Sequence, residues 1–254
     1  MSNAIAKLEA ELDVRLFLRY KRSGLKLTDI GKEILVLARQ MEEASQRMVE
    51  LAYKEKHLKR GRLRIAVLTS LISTILSKAL KEYRRQYPDI QIEFKEGTPN
   101  DIFNMIEEHA ADVAISCAPF GKFDAVPLIH DRMMAIFPPE SADKMPVNLS
   151  QTPELLIINK PAYETLLDHL VAKAPIKTDR RILVQTAESA IRMAADGIGV
   201  GILSEYTLNT LAPDVPKYPV LPEITFDIGL FANDLADLTP AAAEFVRVIR
   251  AIQQ

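Results

Sequence analysis

The sequence predicts an α/β protein with three successive parts: a small basic head, one long helix, and a larger body of two α/β lobes. Three patterns support this fold class. A helix and a hairpin occupy residues 1–27, an apolar seven-residue repeat follows from Thr28 to Tyr53, and strands alternate with helices from Leu63 onward. With 254 residues, 48% of them hydrophobic, the chain can bury the core of a large domain beside a small one.

Charge separates the head from the body. Residues 1–62 carry 14 Lys and Arg against 9 Asp and Glu (net +5), whereas the remainder carries 18 against 25 (net −7). No apolar stretch reaches the roughly 18 residues of a membrane-spanning helix. Lys7, Glu9 and Glu11 interrupt the segment in which a secretory signal would need an apolar run. We therefore expect a cytoplasmic protein with no membrane partner, and a single cysteine, Cys117, fits a reducing compartment.

The head combines an amphipathic helix with a basic hairpin. Ile5, Leu8 and Leu12 recur at steps of three and four, which predicts a helix over Met1–Leu12. In Arg19–Leu27 a Ser-Gly turn divides two short basic arms, which predicts a hairpin. Such a pair can place a helix in a DNA groove while the hairpin neutralises phosphates. The alternative for the hairpin is an ordinary solvated turn.

Two motifs give this segment a family resemblance. S-N-A-I-A-K-L-E-x-x-L-x-V-x-L-F-x-R, from Ser2 to Arg19, and L-x-L-T-x-x-G, from Leu25 to Gly31, resemble the LysR-type transcriptional regulators. The resemblance continues more weakly through the rest of the chain. It implies a recognition helix, a wing and the start of a linker helix. Because the family places two further helices before the position of Ser2, it implies a truncated winged helix-turn-helix with impaired DNA binding.

The resemblance also implies which residues contact DNA. On the recognition helix, bases or phosphates would be contacted by Ser2, Asn3 and Lys7. On the wing and at the start of the next helix, the backbone would be contacted by Arg19, Lys21, Arg22 and Thr28. The implied partner is double-stranded promoter DNA, provided that the native protein contains the missing helices.

The long helix carries a dimerisation pattern. Thr28 and Asp29 predict an N-cap and an acidic first turn. Apolar residues then recur at alternating steps of four and three: Ile30, Ile34, Leu37, Met41, Ala44, Met48 and Leu51. This 3.5-residue repeat predicts a partner helix and hence a homodimer or homotetramer. The alternative is a single helix packed on its own domain. The predicted domains are the head (1–27), the linker helix (28–57) and the body (62–254).

The first lobe of the body begins with strand–helix alternation. Its predicted elements are strands Leu63–Leu68, Ile90–Phe94 and Val113–Ser116, with helices Leu71–Tyr87 and Asn100–His109 between them. This order predicts parallel βαβ units and a mostly parallel sheet. Met133–Phe137 is a further predicted strand, and the turn-rich Pro138–Ser141 is the predicted crossing into the second lobe.

The second lobe repeats the theme. Its predicted elements are strand Leu155–Ile158, helix Tyr163–Ala172, strand Ile182–Val184, helix Ala187–Ala195 and strand Val200–Leu203. Ile224–Phe231 is predicted to return to the first lobe, and Thr239-Pro240 to begin a last helix. The predicted limits are 62–136 with 228–254 for lobe I, and 137–227 for lobe II. This order resembles the two-lobed, periplasmic-binding-protein-like effector domain of the LysR type.

Hydroxyl residues follow two of the predicted strands at the start of a helix. Thr69 and Ser70 follow the first strand, and Thr186 precedes the helix that contains Glu188. Ligands of open α/β sheets bind at the carboxyl ends of strands, where helix N-termini favour anions. We therefore expect a small anionic effector at these residues; simple helix capping is the alternative. The resemblance points to the same two places and adds Ser116 near the hinge.

Other motifs do not support catalysis. Gly197–Gly201 reads G-x-G-x-G but follows a helix and enters a strand, the reverse of the dinucleotide fingerprint. The four histidines are scattered, and neither a metal-binding His/Cys cluster nor a nucleophile elbow occurs. We expect no cofactor and no enzymatic activity. Two alternatives remain: a two-lobed solute-binding protein, and an enzyme on the same fold, since a fold does not fix a function.

Overall fold

The computed structural model of the protein describes residues 3–20, 24–54, 61–138, 146–149, 155–159 and 181–253. Its helices are α1 (Asn3–Leu12), α2 (Asp29–Lys54), α3 (Ser77–Gln86), α4 (Pro99–Glu107), α5 (Ala187–Ala195), α6 (Glu205–Leu211) and α7 (Pro240–Ala251). Its strands are β1 (Phe17–Tyr20), β2 (Gly24–Leu27), β3 (Gly61–Leu68), β4 (Ile90–Gly97), β5 (Val113–Cys117), β6 (Asp124–Ile136), β7 (Val147–Asn148), β8 (Leu156–Asn159), β9 (Arg181–Val184), β10 (Val200–Ser204), β11 (Tyr218–Leu221) and β12 (Thr225–Ala232). None of the described helices has the length and apolar character needed to cross a bilayer.

The head is the predicted helix and hairpin. β1 and β2 pair antiparallel, with Phe17 opposite Leu27. Glu9 on α1 ties the helix to the hairpin, because its Oε1 accepts hydrogen bonds from the backbone N–H groups of Leu16 (2.7 Å) and Phe17 (3.2 Å). Leu16 is buried. The hairpin tip, residues 21–23, lies outside the described residues.

The linker helix α2 is one continuous element of 26 residues, which spans about 39 Å at about 1.5 Å per residue. The Thr28 hydroxyl oxygen accepts a hydrogen bond from Gly31 N–H (2.9 Å) and so caps the helix as predicted. The apolar repeat faces away from the body: Met41 is 74% exposed and Met48 is 67% exposed. This exposed apolar repeat, the seam of α2, is therefore available to a second helix.

The opposite, polar face of α2 packs on the protein's own body. Its bonds end on residues of the first lobe: Arg39 with Glu108, Glu43 with His109, Arg47 with Asp237, Glu42 and Gln46 with Arg62, and Glu50 with Arg62 and Ala241. The two alternatives drawn from the sequence are thus compatible, since one helix can contact its own domain and still present its apolar repeat.

Lobe I has a mixed sheet, so the prediction of a mostly parallel sheet was wrong for this half. β3 pairs in parallel with β4 and β5, but β12 lies antiparallel to both β5 and β6. The chain returns from the second lobe along β12, and this return reverses the strand direction. The predicted helix Leu71–Tyr87 is also more complex: a 3₁₀ turn (Thr69–Leu71) and a π-helical turn (Ile72–Leu76) precede α3.

A single strand, β6, belongs to both lobes. Its residues up to Arg132 pair with β12, whereas Met133–Ile136 pair with β10. The sheet of the second lobe therefore begins at Met133, before the predicted crossing at Pro138–Ser141. Only the second part of this strand, Met133–Phe137, was predicted from the sequence.

Lobe II is completed by parallel strands and covering helices. β10 pairs with β8, and β8 with β9, all in parallel, while β11 adds an antiparallel edge to β6. The sequence analysis missed β7, β11 and α6, and the predicted helix Tyr163–Ala172 lies outside the described residues. Gly197 has φ +75° in the turn from α5 to β10, a conformation that glycine adopts readily. The glycine-rich stretch is therefore a structural turn.

Candidate functional site

A cavity opens between the two lobes. One wall comes from the turn after β3 and from β5 and β12, the other from β8, α5, β10 and α6. Its lining residues are Ser70, Leu71, Cys117, Asn159, Ala187, Leu203, Ser204, Thr207, Phe226 and Ile228. The space between atoms, including the open mouth, is about 390 Å³. In this arrangement of the lobes a water-sized sphere can enter only about 20 Å³ of that space, little more than one water molecule needs, and most of the surface around it is apolar. A metabolite would therefore enter only with the lobes further apart.

Ser70 is the predicted effector residue that lines the cavity. The helical turn at Thr69–Leu71 has Leu68 at its N-cap and no side-chain cap, so neither Thr69 nor Ser70 fulfils the capping alternative there. The half-buried Ser70 hydroxyl makes no hydrogen bond among the described residues and is available to a ligand. Thr69 is also half-buried but is not among the lining residues.

Thr186 has a structural role that the sequence analysis had left open. Its hydroxyl oxygen accepts from Ser189 N–H (3.2 Å) and so caps α5. Both Thr186 and Glu188 are exposed and lie outside the lining. The neighbouring Ala187, the first residue of α5, does line the cavity. The second predicted junction therefore reaches the site through the start of the helix.

Ser116 is fully buried on β5, and its hydroxyl has no partner among the described residues. It does not line the cavity, but the next residue, Cys117, does. Burial and the nearby Asp131 raise the pKa of Cys117 to about 12. The thiol is therefore protonated at neutral pH.

Asn159 is a lining residue that the sequence analysis missed. It ends β8 and is only 3% exposed, yet neither its Nδ2 nor its Oδ1 has a hydrogen-bond partner among the described residues. The signal was present, because Asn159 follows an apolar run just as Thr69 does.

A buried carboxylate lies behind the cavity wall. Asp131 is 5% exposed and accepts hydrogen bonds from the Ser204 hydroxyl and from the N–H groups of Arg132 (2.8 Å) and Tyr206 (3.1 Å). Burial raises the pKa of Asp131, because the loss of hydration outweighs these bonds. Ser204 in turn accepts from Thr207 N–H (3.1 Å). The wall is thus held by a connected polar network.

The cavity lining carries no Lys or Arg among the described residues. The guanidinium of Arg132, next to Asp131 in the chain, pairs with both carboxylate oxygens of Glu205 at 2.9 and 3.1 Å. An anion in the cavity would therefore depend on hydrogen-bond donors. Within the described ranges, no group of three His, Cys, Asp or Glu side chains could hold a metal ion.

The head presents part of the predicted DNA surface. Asn3 and Lys7 are exposed on α1, and Lys7 makes only a loose 3.9 Å pair with Glu11. Thr28 uses its hydroxyl within the chain, donating to Arg15 C=O (2.8 Å) and capping α2. Arg19 lies on β1, where the backbone alone is described. Ser2, Lys21 and Arg22 lie outside the described residues.

Comparison with known proteins agrees with this architecture. Residues 56–254 match the family model of the LysR substrate binding domain. The chain is 35% identical to the uncharacterized HTH-type transcriptional regulator YoaU of Bacillus subtilis over 255 residues, covering 99% of this chain and 88% of that protein. It is 24% identical to the transcriptional dual regulator GltC of the same organism, covering 98% and 86%.

Solved structures share the fold. A full-length OxyR variant from Pseudomonas aeruginosa superposes with a TM-score of 0.75 at 18% identity, covering 98% of this chain and 83% of that one. CbnR complexed with its target DNA gives a TM-score of 0.60 at 19% identity, covering 98% and 88%. A solute-binding protein would share the body alone, whereas these matches extend over the head and α2. The chain therefore belongs to the LysR family of HTH-type transcriptional regulators, with an effector-binding domain as its body.

Proposed function

We propose that the protein regulates transcription in the cytoplasm by coupling a small anionic effector, bound between its lobes, to promoter DNA held by its basic head. The observation that supports this most directly is the cavity, because it joins the Ser70 hydroxyl, the start of α5 and the unpartnered amide of Asn159 in one largely apolar site. Effector binding would change the angle between the lobes. No catalysis is part of this proposal, since the nearby thiol stays protonated and the nearby carboxylate is engaged.

We also propose that the protein works as a homodimer or a homotetramer. The exposed seam of α2 supports this, because about three heptads of apolar residues face solvent in the single chain. A pair of chains would present two DNA-binding heads, as a two-fold symmetric site requires.

DNA binding is tested first. Double-stranded fragments are selected from a random library, and affinity is measured by fluorescence anisotropy over a range of salt concentrations. We expect Lys7→Ala to weaken binding and to reduce the salt dependence by about one counterion, because a phosphate contact is lost. Asn3→Ala should relax sequence preference. Lys95→Ala, an exposed lysine on β4, is the control; an equal effect there would remove the assignment of α1 to DNA.

Effector binding is tested by calorimetry with a panel of organic acids. Ser70→Tyr should abolish binding by filling the cavity, and Thr69→Tyr, at the adjacent half-buried residue outside the lining, should not. Binding of neutral or cationic compounds alone would contradict an anionic effector.

A further inference from the structure

We propose that Asn159 selects the effector through a two-point hydrogen bond, and that the effector is a small carboxylate with a hydrogen-bond donor on the adjacent carbon: a 2-hydroxy or 2-amino acid. This inference rests on the proposed function, because it concerns the same cavity.

The first step is the state of the amide. Asn159 is 3% exposed, and both of its polar atoms lack partners among the described residues. More than nine-tenths of buried polar groups in proteins are hydrogen-bonded, so an amide left wholly unpaired in a cavity wall needs an explanation. Both atoms are covered in this arrangement of the lobes. A ligand that meets them once the lobes move apart would supply the hydrogen bonds that they lack.

The second step is the pair of groups that the ligand must present to the amide: one acceptor and one donor. Nδ2 donates and Oδ1 accepts, and the two atoms lie side by side in one plane. A carboxylate alone can accept a hydrogen bond from Nδ2. Its second oxygen would then face Oδ1, and because both oxygens are acceptors they would form no hydrogen bond. A hydroxyl or amino group beside the carboxylate supplies the missing donor, so the ligand and the amide exchange two hydrogen bonds.

The third step is the surroundings. Ala187 begins α5, whose first N–H groups have no partner within the helix, so the helix end favours the charge of a carboxylate. The apolar part of the ligand has Leu71, Leu203, Phe226 and Ile228 to contact. An uncharged amide would satisfy Asn159 equally well but would gain less from the helix end.

The experiment uses four compounds of equal chain length, so that the apolar contact stays constant: butyrate, 2-hydroxybutyrate, 2-aminobutyrate and butyramide. Their affinities for the intact protein are measured by isothermal titration calorimetry. We expect 2-hydroxybutyrate or 2-aminobutyrate to bind at least about tenfold more tightly than butyrate, the effect of one added hydrogen bond.

Two substitutions locate the effect. Asn159→Leu keeps the side-chain size and removes both polar atoms. The ratio of the affinities for the substituted acid and for butyrate should therefore fall from about ten to about one. Asn159→Asp keeps an acceptor but replaces the donor by a negative charge, so binding of all three acids should be lost. Asn104→Leu makes the same change at an exposed residue of α4 that does not line the cavity, and it should leave the preference unchanged. Thermal unfolding of each variant shows whether it is folded.

The outcomes separate this inference from the proposed function. Equal binding of butyrate and the substituted acids, or a preference that survives in Asn159→Leu, overturns the role of Asn159. Butyramide binding as tightly as 2-hydroxybutyrate supports the two-point bond but contradicts the anionic effector. If none of the four compounds binds at millimolar concentration, the ligand class is wrong, while the regulator function still stands or falls by the DNA measurements.

Discussion

Burial controls the chemistry of two titratable side chains at the cavity, Cys117 in its lining and Asp131 behind its wall. Both have pKa values above their ordinary ones because the charged forms lose hydration. Their effects on function differ: the thiol becomes unreactive, whereas the carboxylate makes folding sensitive to pH.

For Cys117 we predict slow alkylation. With a pKa of about 12 and little exposure, the thiolate needed for reaction with iodoacetamide is scarce at neutral pH. Mass spectrometry should find the native protein largely unmodified under conditions that fully modify it in urea. Rapid labelling of the native protein would show that the thiol is open to the cavity mouth as an anion.

For Asp131 we predict a pH-dependent contribution to stability. Because its folded-state pKa is raised, the folded protein holds the proton more tightly than the unfolded chain does. The free energy of unfolding therefore falls as pH rises from about 3.8 through the higher folded value. Asp131→Asn removes this fall, so its stability relative to the wild type should increase with pH in urea titrations from acidic to neutral pH. Asp214→Asn, an exposed aspartate, is the control; a parallel trend there would contradict the assignment.

At the scale of elements, a buried carboxylate is a central contact between α2 and the body. Glu50 is 1% exposed and accepts from Gln46 Nε2 (2.6 Å), Arg62 N–H (3.2 Å) and Ala241 N–H (3.1 Å). Since Ala241 lies in the first turn of α7, a side chain of the linker helix caps a helix of the body. Gly61 permits this approach, because a Cβ there would lie 2.6 Å from Glu50 Oε1.

We predict that Glu50→Ala lowers the free energy of unfolding by about 2–3 kcal/mol, since it leaves buried N–H groups without an acceptor. Glu50→Gln should cost about half as much. Glu42→Ala, which breaks an exposed pair with Arg62 on the same helix, should cost less than about 1 kcal/mol. Urea unfolding followed by circular dichroism measures all three. Equal losses for Glu42→Ala and Glu50→Ala would contradict a special role for the buried acid.

The sequence predicted elements best where a local pattern decided the structure. The hairpin, α2 and α5 carry turn, repeat and capping signals within a few residues, and the structure has all three. The antiparallel course of β12 and the joint membership of β6 depend on contacts between distant segments, as with Thr225 opposite Arg132, and no local pattern reports them. At the site, Ser70 was predicted from its place after a strand. Asn159 and Ser204 follow predicted strands in the same way, but which strand ends line one cavity depends on how the lobes pack, and no local pattern reports that.

At the scale of the whole molecule, the proposed assembly depends on the seam of α2. We predict that the double variant Met41→Glu, Met48→Glu dissociates the dimer, because charged side chains would occupy the same core position in two successive heptads of a paired helix. Both residues are already exposed in the single chain, so its fold should persist. Sedimentation velocity measures the mass, and circular dichroism checks the helix content.

Val49→Glu is the matched control, since Val49 is also exposed and apolar but lies off the repeat. The pairing model fails if the wild type is a monomer at micromolar concentration, or if both variants dissociate alike.

Among the residues that the structure describes, the bonds from α2 to the body end on lobe I, and this attachment has a mechanical consequence. The polar face of α2 is bonded to the lobe that contains β3 and α7. Lobe II is connected to that lobe through β6 and β12. In a pair of chains, the distance between the two heads would be set by the paired α2 helices and the first lobes to which they are bonded. A metabolite that draws lobe II inward would then leave that distance unaltered and would instead reshape the outer surface offered to neighbouring proteins on the promoter.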